Sequence, residues 1–587
     1  MQVSSSSLRR PQRVRTRFAA VLLGLAGLAS LTPAAFGDSA DKAASAAALT
    51  MSARASTLCA LRPSVSAPKA DDFQRASAIL QGRLQLPGTP ALAIGAFPTW
   101  REGQHIASFQ SALQGLAWVD VLRRTWVETG DHRFLARYER VLRSWANVAK
   151  DGRGSVTKWV WFDMAQGQRA AEFTCAIAAL GPRPWLLQAA RQGLEILKDT
   201  KASRYDGEGN HSLWQDTGLW SLSKLFDDQP GQRLAISRLQ ALLAGAVSAD
   251  GESVEGSSVY QELNWLWWRE AVQLIRPAQL AGGSRVELMA QVYSDLISPS
   301  AHLMAFGDAQ TERPALRDLD IPSPRSLSVM PELGVAQARD SNNSSMVLLR
   351  IGAAGTRQLH GHRDAGSVQF HACGRTLLGD GGMFAYAPST PIGQRARRFV
   401  KSAAAHSVVL PFGSSADFSQ RTRVTVLDRE DGVYFKAEIP LNTGEIWLRR
   451  VYYSRVHGFL LIEDQLPGGG RQLWQLPRDS RFVIDGPRII EESATNGCAL
   501  SLVWVAGARP NVVYGASGIG WMSEVFGALT PRPTAIATVA EGRPAAILIA
   551  ATPVADGAEF RSITALGGHR YAVSGDGEVT VDFNVVE

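Results

Sequence analysis

"DLDIPSPRSLS", residues 318–328, separates two halves of the chain that differ in rhythm. It is crowded with turn formers and reads as a linker. Before it, apolar residues recur at helical spacing, as in "SFQSALQGLAWVDVLRRTWVETG" (108–130) and "DHRFLARYERVLRSWANVA" (131–149). In the "TGDHRF" turn between them, a glycine ends one helix and an aspartate caps the next, which predicts an antiparallel helical hairpin. Amphipathic segments continue near 163–180, 183–198, 213–226, 230–246, 259–275 and 284–298. Helix pairs in series imply a ring or superhelix of hairpins, without a fixed repeat period. After residue 340 the runs shorten to strand length, as in "SMVLLRIGA", "SVQFHAC", "IWLRRVYYSRV" and "EVTVDFNVV", with turns such as "DGG" and "PGGG" between them. That is the pattern of an antiparallel sandwich. The expected organisation is a leader at 1–37, a helical domain at 38–325 and an all-β domain at 326–587.

The leader is read from Arg9, Arg10, Arg13, Arg15 and Arg17, the apolar run Phe18–Leu31 and small residues up to Gly37, the pattern of a cleavable secretory signal. Its apolar run falls short of the roughly 20 residues a membrane span needs, and no later stretch reaches that length. The formal net charge is +7, of which the leader supplies five, so the mature chain carries about +2 and offers little to attract nucleic acid. A periplasmic or secreted location permits disulfides. The four scattered cysteines, Cys59, Cys175, Cys373 and Cys498, allow three pairings, and their spacing favours one bridge or none.

Two helix starts look chemical. In "GEGNHSLWQDTGLWSL" (207–222), Ser212 and Gln215 have capping-box spacing, which puts Asn210 and His211 just before a helix N-terminus, where free N–H groups favour an anion. In "DGESVEGSSVYQELNWLWW" (250–268), Ser258 and Gln261 repeat that spacing and place Tyr260 in a first turn. Arg169, in "KWVWFDMAQGQRAAEF" (158–173), joins tryptophans in a combination suited to carboxylated sugars, and Trp214 and Arg398 are further candidate sugar contacts. In "HGHRDAG" (360–366), a strand would turn His360, His362 and Asp364 to one face. Downstream lie Asp380 in "LLGDGGMFAY" and His406 in "RRFVKSAAAHSVVL". Two histidines and a carboxylate from separated strands suit zinc, although a metal-free histidine network fits the spacing as well.

"GNHSLWQDTG", "DGESVEGSSVYQ", "FGDAQ", "HGHRDAGSVQFHACGRTLLGDGG" and "RRFVKSAAAHSVV", in this order, resemble the heparinase II/III family of polysaccharide lyases. The resemblance runs from about residue 100 to at least residue 410 and implies an incomplete (α/α) toroid packed on an antiparallel β-sandwich. It implies β-elimination in an acidic, uronate-containing polysaccharide, leaving a 4,5-unsaturated end sugar. Asn210 and His211 would offset the uronate charge, Tyr260 would act as general acid, and His211 or His360 would share proton abstraction. By the same resemblance His362, Asp380 and His406 would hold a zinc that is structural rather than catalytic. The chain has Ser407 where the family often has asparagine after the last histidine, which questions the support behind that ligand.

Three other readings compete. A glycoside hydrolase would use two of Asp163, Asp216, Glu255 and Glu262. A uronate epimerase would reuse the same tyrosine and histidines while leaving the glycosidic bond intact. A non-catalytic exopolysaccharide-binding or assembly factor would need none of them. The near-neutral mature charge favours an unsulfated or lightly modified polymer, such as alginate or a bacterial exopolysaccharide.

Overall fold

The computed structural model describes residues 38–63, 67–86, 91–103, 107–150, 159–161, 163–276, 280–316, 319–352, 359–386, 388, 390–492, 497–516, 518–553, 561–575 and 577–586. The leader expected at 1–37 lies outside them. No described helix is long and apolar enough to cross a membrane.

The "TGDHRF" turn forms as its residues dictate. Helix Asp120–Thr129 ends on Gly130 at φ 72, and Asp131 accepts the Arg133 N–H to cap helix His132–Ala149. The 108–130 run is not one helix, however: it breaks at Leu116 between Ala107–Gly115 and Asp120–Thr129. Further helices follow at Asp163–Leu180, Pro184–Lys198, Gly209–Leu225, Gln229–Ala246, Ser258–Ile275 and Ser284–Asp295, the hairpins of an incomplete (α/α) toroid.

Two of these helices carry part of the site, and glycine sets how closely they pack. A Cβ at Gly167 would run into the Trp214 carbonyl, and one at Gly218 would lie 2.8 Å from Gly167 Cα. Helices Asp163–Leu180 and Gly209–Leu225 therefore lie backbone to backbone, N-terminus beside N-terminus. Asp163 thereby meets the first turn of its neighbour.

The β-half is a sandwich. A five-stranded sheet runs in sequence order from Leu327–Met330 through Val335–Arg339, Met346–Arg350 and Val368–Ala372 to Arg375–Leu378. The first two residues of that sheet are thus the end of the 318–328 stretch. An eight-stranded sheet, a four-stranded sheet and a three-stranded sheet follow, all antiparallel. Val347 and Leu349 enter the core shared with Phe435, Val451, Ile462 and Trp474. Their alternate neighbours Met346 and Leu348 enter the helical core with Met304 and Phe306. One strand thus serves two cores, and Thr50–Glu587 forms one compact unit.

All four cysteines pair, which corrects the expectation of one bridge or none. Cys59–Cys175 ties helix Asp38–Ala60 to Asp163–Leu180, and Cys373–Cys498 ties the five-stranded sheet to the eight-stranded one. Each closes a loop of more than 100 residues, a constraint worth up to about 4–5 kcal/mol in the chain-entropy account.

Candidate active site

On the toroid side, the helix carrying Asn210 and His211 starts at Gly209, so both residues lie inside its first turn rather than before it. The capping-box reading fails because its side chains are used elsewhere. The Ser212 hydroxyl donates to Asp206 at 2.7 Å, and the Gln215 amide donates to Asp163 at 3.1 Å. Likewise Gln261 bonds to Ser253, Gly251 and Met289, and Ser257, not Ser258, precedes the second helix. Tyr260 is nevertheless in the first turn, as expected.

His211 donates from Nδ1 to Asp163 at 2.7 Å and its side chain is 48% exposed. That bond fixes the tautomer and leaves Nε2 with its lone pair. Burial lowers the His211 pKa, but the hydrogen bond and charge of Asp163 outweigh it, so the net shift is upward.

Tyr260 meets the β-half directly. Its ring stacks on His360 with centroids 3.4 Å apart and planes 8° from parallel. Its hydroxyl donates to that of Tyr386 at 2.9 Å. Burial, then the neighbouring Tyr386, raises the Tyr260 pKa far above the usual phenol value, so the group is a proton donor at any physiological pH.

The HGHRDAG segment is a loop, not a strand; the strand begins at Val368. Asp364 turns away to the buried Arg350 at 2.9 Å. The two histidines converge instead on Asp308, with His360 Nδ1 at 3.0 Å from Oδ2 and His362 Nε2 at 3.0 Å from Oδ1. Arg397 spans both oxygens at 2.9 and 3.0 Å. Burial opposes charge on Asp308, but the bonds from His360, His362 and Arg397 prevail and hold it well below the usual carboxylate range. The other His360 nitrogen faces Glu255 at 3.6 Å. Both His360 nitrogens are thus turned to carboxylates, while its ring face lies on Tyr260. Burial raises the Glu255 pKa.

His362, Asp380 and His406 are fully buried, and each offers a donor atom within 4.8 Å of the others'. His362 Nδ1 and His406 Nε2 have no hydrogen-bond partner. Two orphaned imidazole nitrogens beside a buried carboxylate fit a zinc-type ion. Asp308 behind His362 is the carboxylate–histidine support such sites use. Ser407 supplies support in its own way, its hydroxyl accepting the Gln475 N–H at 3.0 Å while Gln475 donates to the His406 carbonyl at 3.2 Å.

Three expected sugar contacts are placed differently. Arg169 is 1% exposed, with its guanidinium over Trp145 and Trp161 and one N–H on the Gln114 carbonyl; it is a core residue, and burial lowers its pKa to about 9. Trp214 packs against Trp267 and the Cys59–Cys175 bridge. Arg398 is exposed on helix Pro391–Val400, and its neighbour Arg397 is the one that enters the site. Three of the four carboxylates named for a hydrolase are engaged with other side chains. Asp216 is buried with Tyr205 and Arg238, Glu262 pairs with Arg313, and Asp163 serves His211. Sequence reasoning missed Asp308 and Tyr386 as site residues. Asp308 lies in the "FGDAQ" stretch and Tyr386 in "GGMFAY", so the signal was adjacency to motifs already singled out.

A helical toroid on a β-sandwich is an architecture shared with solved polysaccharide lyases. Residues 322–561 match the family model described as heparinase II/III-like, C-terminal, which bears out the resemblance read from the sequence. Heparan sulfate lyase HepC from Pedobacter heparinus, solved as a mutant, superposes with a TM-score of 0.67 at 16% identity, covering 92% of this chain and 96% of that one. Heparinase III gives 0.70 at 13% identity, covering 88% and 91%. Chondroitin AC lyase of Streptomyces coelicolor A3, solved with chondroitin sulphate, gives 0.54 at 11% identity, covering 89% and 86%. At these identities the likeness establishes the fold. No curated protein matches the chain.

Proposed function

We propose that the chain is an exported carbon–oxygen lyase that cleaves a uronate-containing polysaccharide by β-elimination. The observation that carries this is the Tyr260 phenol, kept protonated and aimed across the junction by its stack on His360. His211 Nε2 takes the proton at C5 of the uronate. The electron pair forms the C4–C5 double bond, the bond from C4 to the glycosidic oxygen breaks, and Tyr260 gives that oxygen its proton. An ionised carboxylate makes the C5 proton a weak acid, and Asn210 in the first turn of a helix supports the charge that develops there. A zinc ion at His362, Asp380 and His406 would fix the sandwich side of the site rather than enter the reaction.

The polymer is read as unsulfated or lightly modified, such as alginate or a bacterial exopolysaccharide. Arg397 is already matched by Asp308 and Arg169 is buried, so neither is free to meet a sulfate. Export rests on the leader pattern at 1–37.

An ultraviolet scan of the mature protein against a panel of uronate polymers, with mass analysis of the products, tests the reading. Products bearing the conjugated double bond support it. Products heavier by one water indicate hydrolysis, and an inverted C5 with intact chains indicates an epimerase; either overturns it.

A further inference from the structure

Asp308 accepts four side-chain hydrogen bonds at the junction, and its backbone is as constrained as its carboxylate. Gly307 precedes it at φ 63, and a Cβ there would meet the Gly256 carbonyl and, at 2.6 Å, that of His360. Only glycine lets the chain press between the loop before Tyr260 and the loop bearing the histidines. Backbone bonds close the arrangement: Asp308 N–H to the His360 carbonyl at 2.8 Å, His360 N–H to the Glu255 carbonyl at 3.1 Å and Ser258 N–H to the Phe306 carbonyl at 3.3 Å. Three segments distant in sequence therefore meet around one carboxylate that is 1% exposed.

The carboxylate divides its work by oxygen. Oδ2 takes His360 Nδ1, which leaves the His360 ring face to lie on Tyr260. Oδ1 takes His362 Nε2, which leaves Nδ1 as the nitrogen turned to Asp380 and His406. Arg397 grips both oxygens and fixes the plane in which they point. Rotating the carboxylate to suit one histidine would release the other.

We propose that Asp308 is a positioning residue that makes the metal site and the Tyr260–His360 stack a single geometric unit, so that occupancy of one sets the alignment of the other. The kinetic part of its test rests on the lyase reading; the metal and spectral parts do not.

The experiment uses the mature chain with histidine labelled in 15N, as wild type and as Asp308→Asn, with zinc as the metal probe. Removing metal from the wild type with a chelator should shift the imidazole signals of His360 together with those of His362. Asp308→Asn should weaken zinc binding about 10–100-fold and move the same His360 signals. Its kcat should fall about 10-fold or more while KM stays within about 3-fold. A wild type that takes up no zinc, or whose His360 signals ignore its removal, overturns the proposal. Loss of zinc affinity with His360 and kcat unmoved, or the reverse, also overturns it, because the two sites are then held independently. If no polymer is cleaved the lyase reading fails, and zinc affinity with the His360 signals still decides the role of Asp308. Should Asp308→Asn not fold, chelation of the unaltered chain remains a complete test of the coupling.

Discussion

The toroid and sandwich sides of the site are built on opposite principles. His211 stands half open on a helix start, held by one carboxylate. His360, His362 and His406 are held by buried carboxylates from several segments, and two of the three are fully buried. A group that must exchange protons with substrate needs access and an unengaged atom. A group that must hold a geometry needs many partners and no water. On the proposed lyase reading, the contrast gives chemistry to the toroid side and alignment to the sandwich side, and Tyr260 joins them.

The largest expected effect breaks chemistry without alignment. Tyr260→Phe removes the proton donor and should lower kcat about 10²–10⁴-fold, with zinc content and melting temperature unchanged. A matching loss of stability would mean that the hydroxyl is structural. His362→Ala should do the reverse kind of damage, lowering zinc content and melting temperature along with activity, because Asp308 Oδ1 loses the His362 N–H and the metal site loses one of its three donors. Metal analysis and calorimetry check it, and full stability and activity would remove the metal assignment.

The pH profile sharpens the comparison further. As a base His211 must be neutral, and Asp163 shifts it upward from the usual 6.5. The acidic limb of kcat/KM should therefore lie above pH 6.5, with activity lost as pH falls through it. Asp163→Asn should move that limb to lower pH and leave stability within about 1 kcal/mol, as expected for an ion pair whose histidine is half exposed. The smallest effects separate two arginines. Arg169→Ala should cost about 2–4 kcal/mol of stability with KM unaltered, since it empties space between Trp145 and Trp161. Arg398→Ala should raise KM about 2–5-fold with no change in melting temperature, by loss of one exposed charge near an anionic polymer.

Much of the fold was legible because period 3.6 and period 2 are properties of the chain alone. The helices at 163–180, 183–198 and 230–246 stand within a residue or two of their expected bounds. The errors share a cause. Ser212, Gln215 and Gln261 match a capping box by spacing, yet Ser212 bonds back to Asp206, and Gln215 and Gln261 bond to residues that only the folded chain brings near. HGHRDAG alternates as a strand would, but the pull of Asp308, more than 50 positions away in sequence, and of Arg350 on Asp364 bends it into a loop. Arg169 and Trp214 lie on helices buried nearly all round, where pattern cannot say which face opens to a cleft. The placing of Tyr260 in a first turn and the gathering of His362, Asp380 and His406 were legible because motif and geometry agree at those positions.

The strand Met346–Arg350, whose side chains alternate between two cores, carries a consequence for how this molecule can be divided. Cutting the chain near residue 325 and expressing the β-half alone would leave Met346 and Leu348 facing water beside Val335. The helical half would in turn lose the wall that closes its own interior. Neither piece would be a finished object, so the two halves must be inherited, swapped or engineered together.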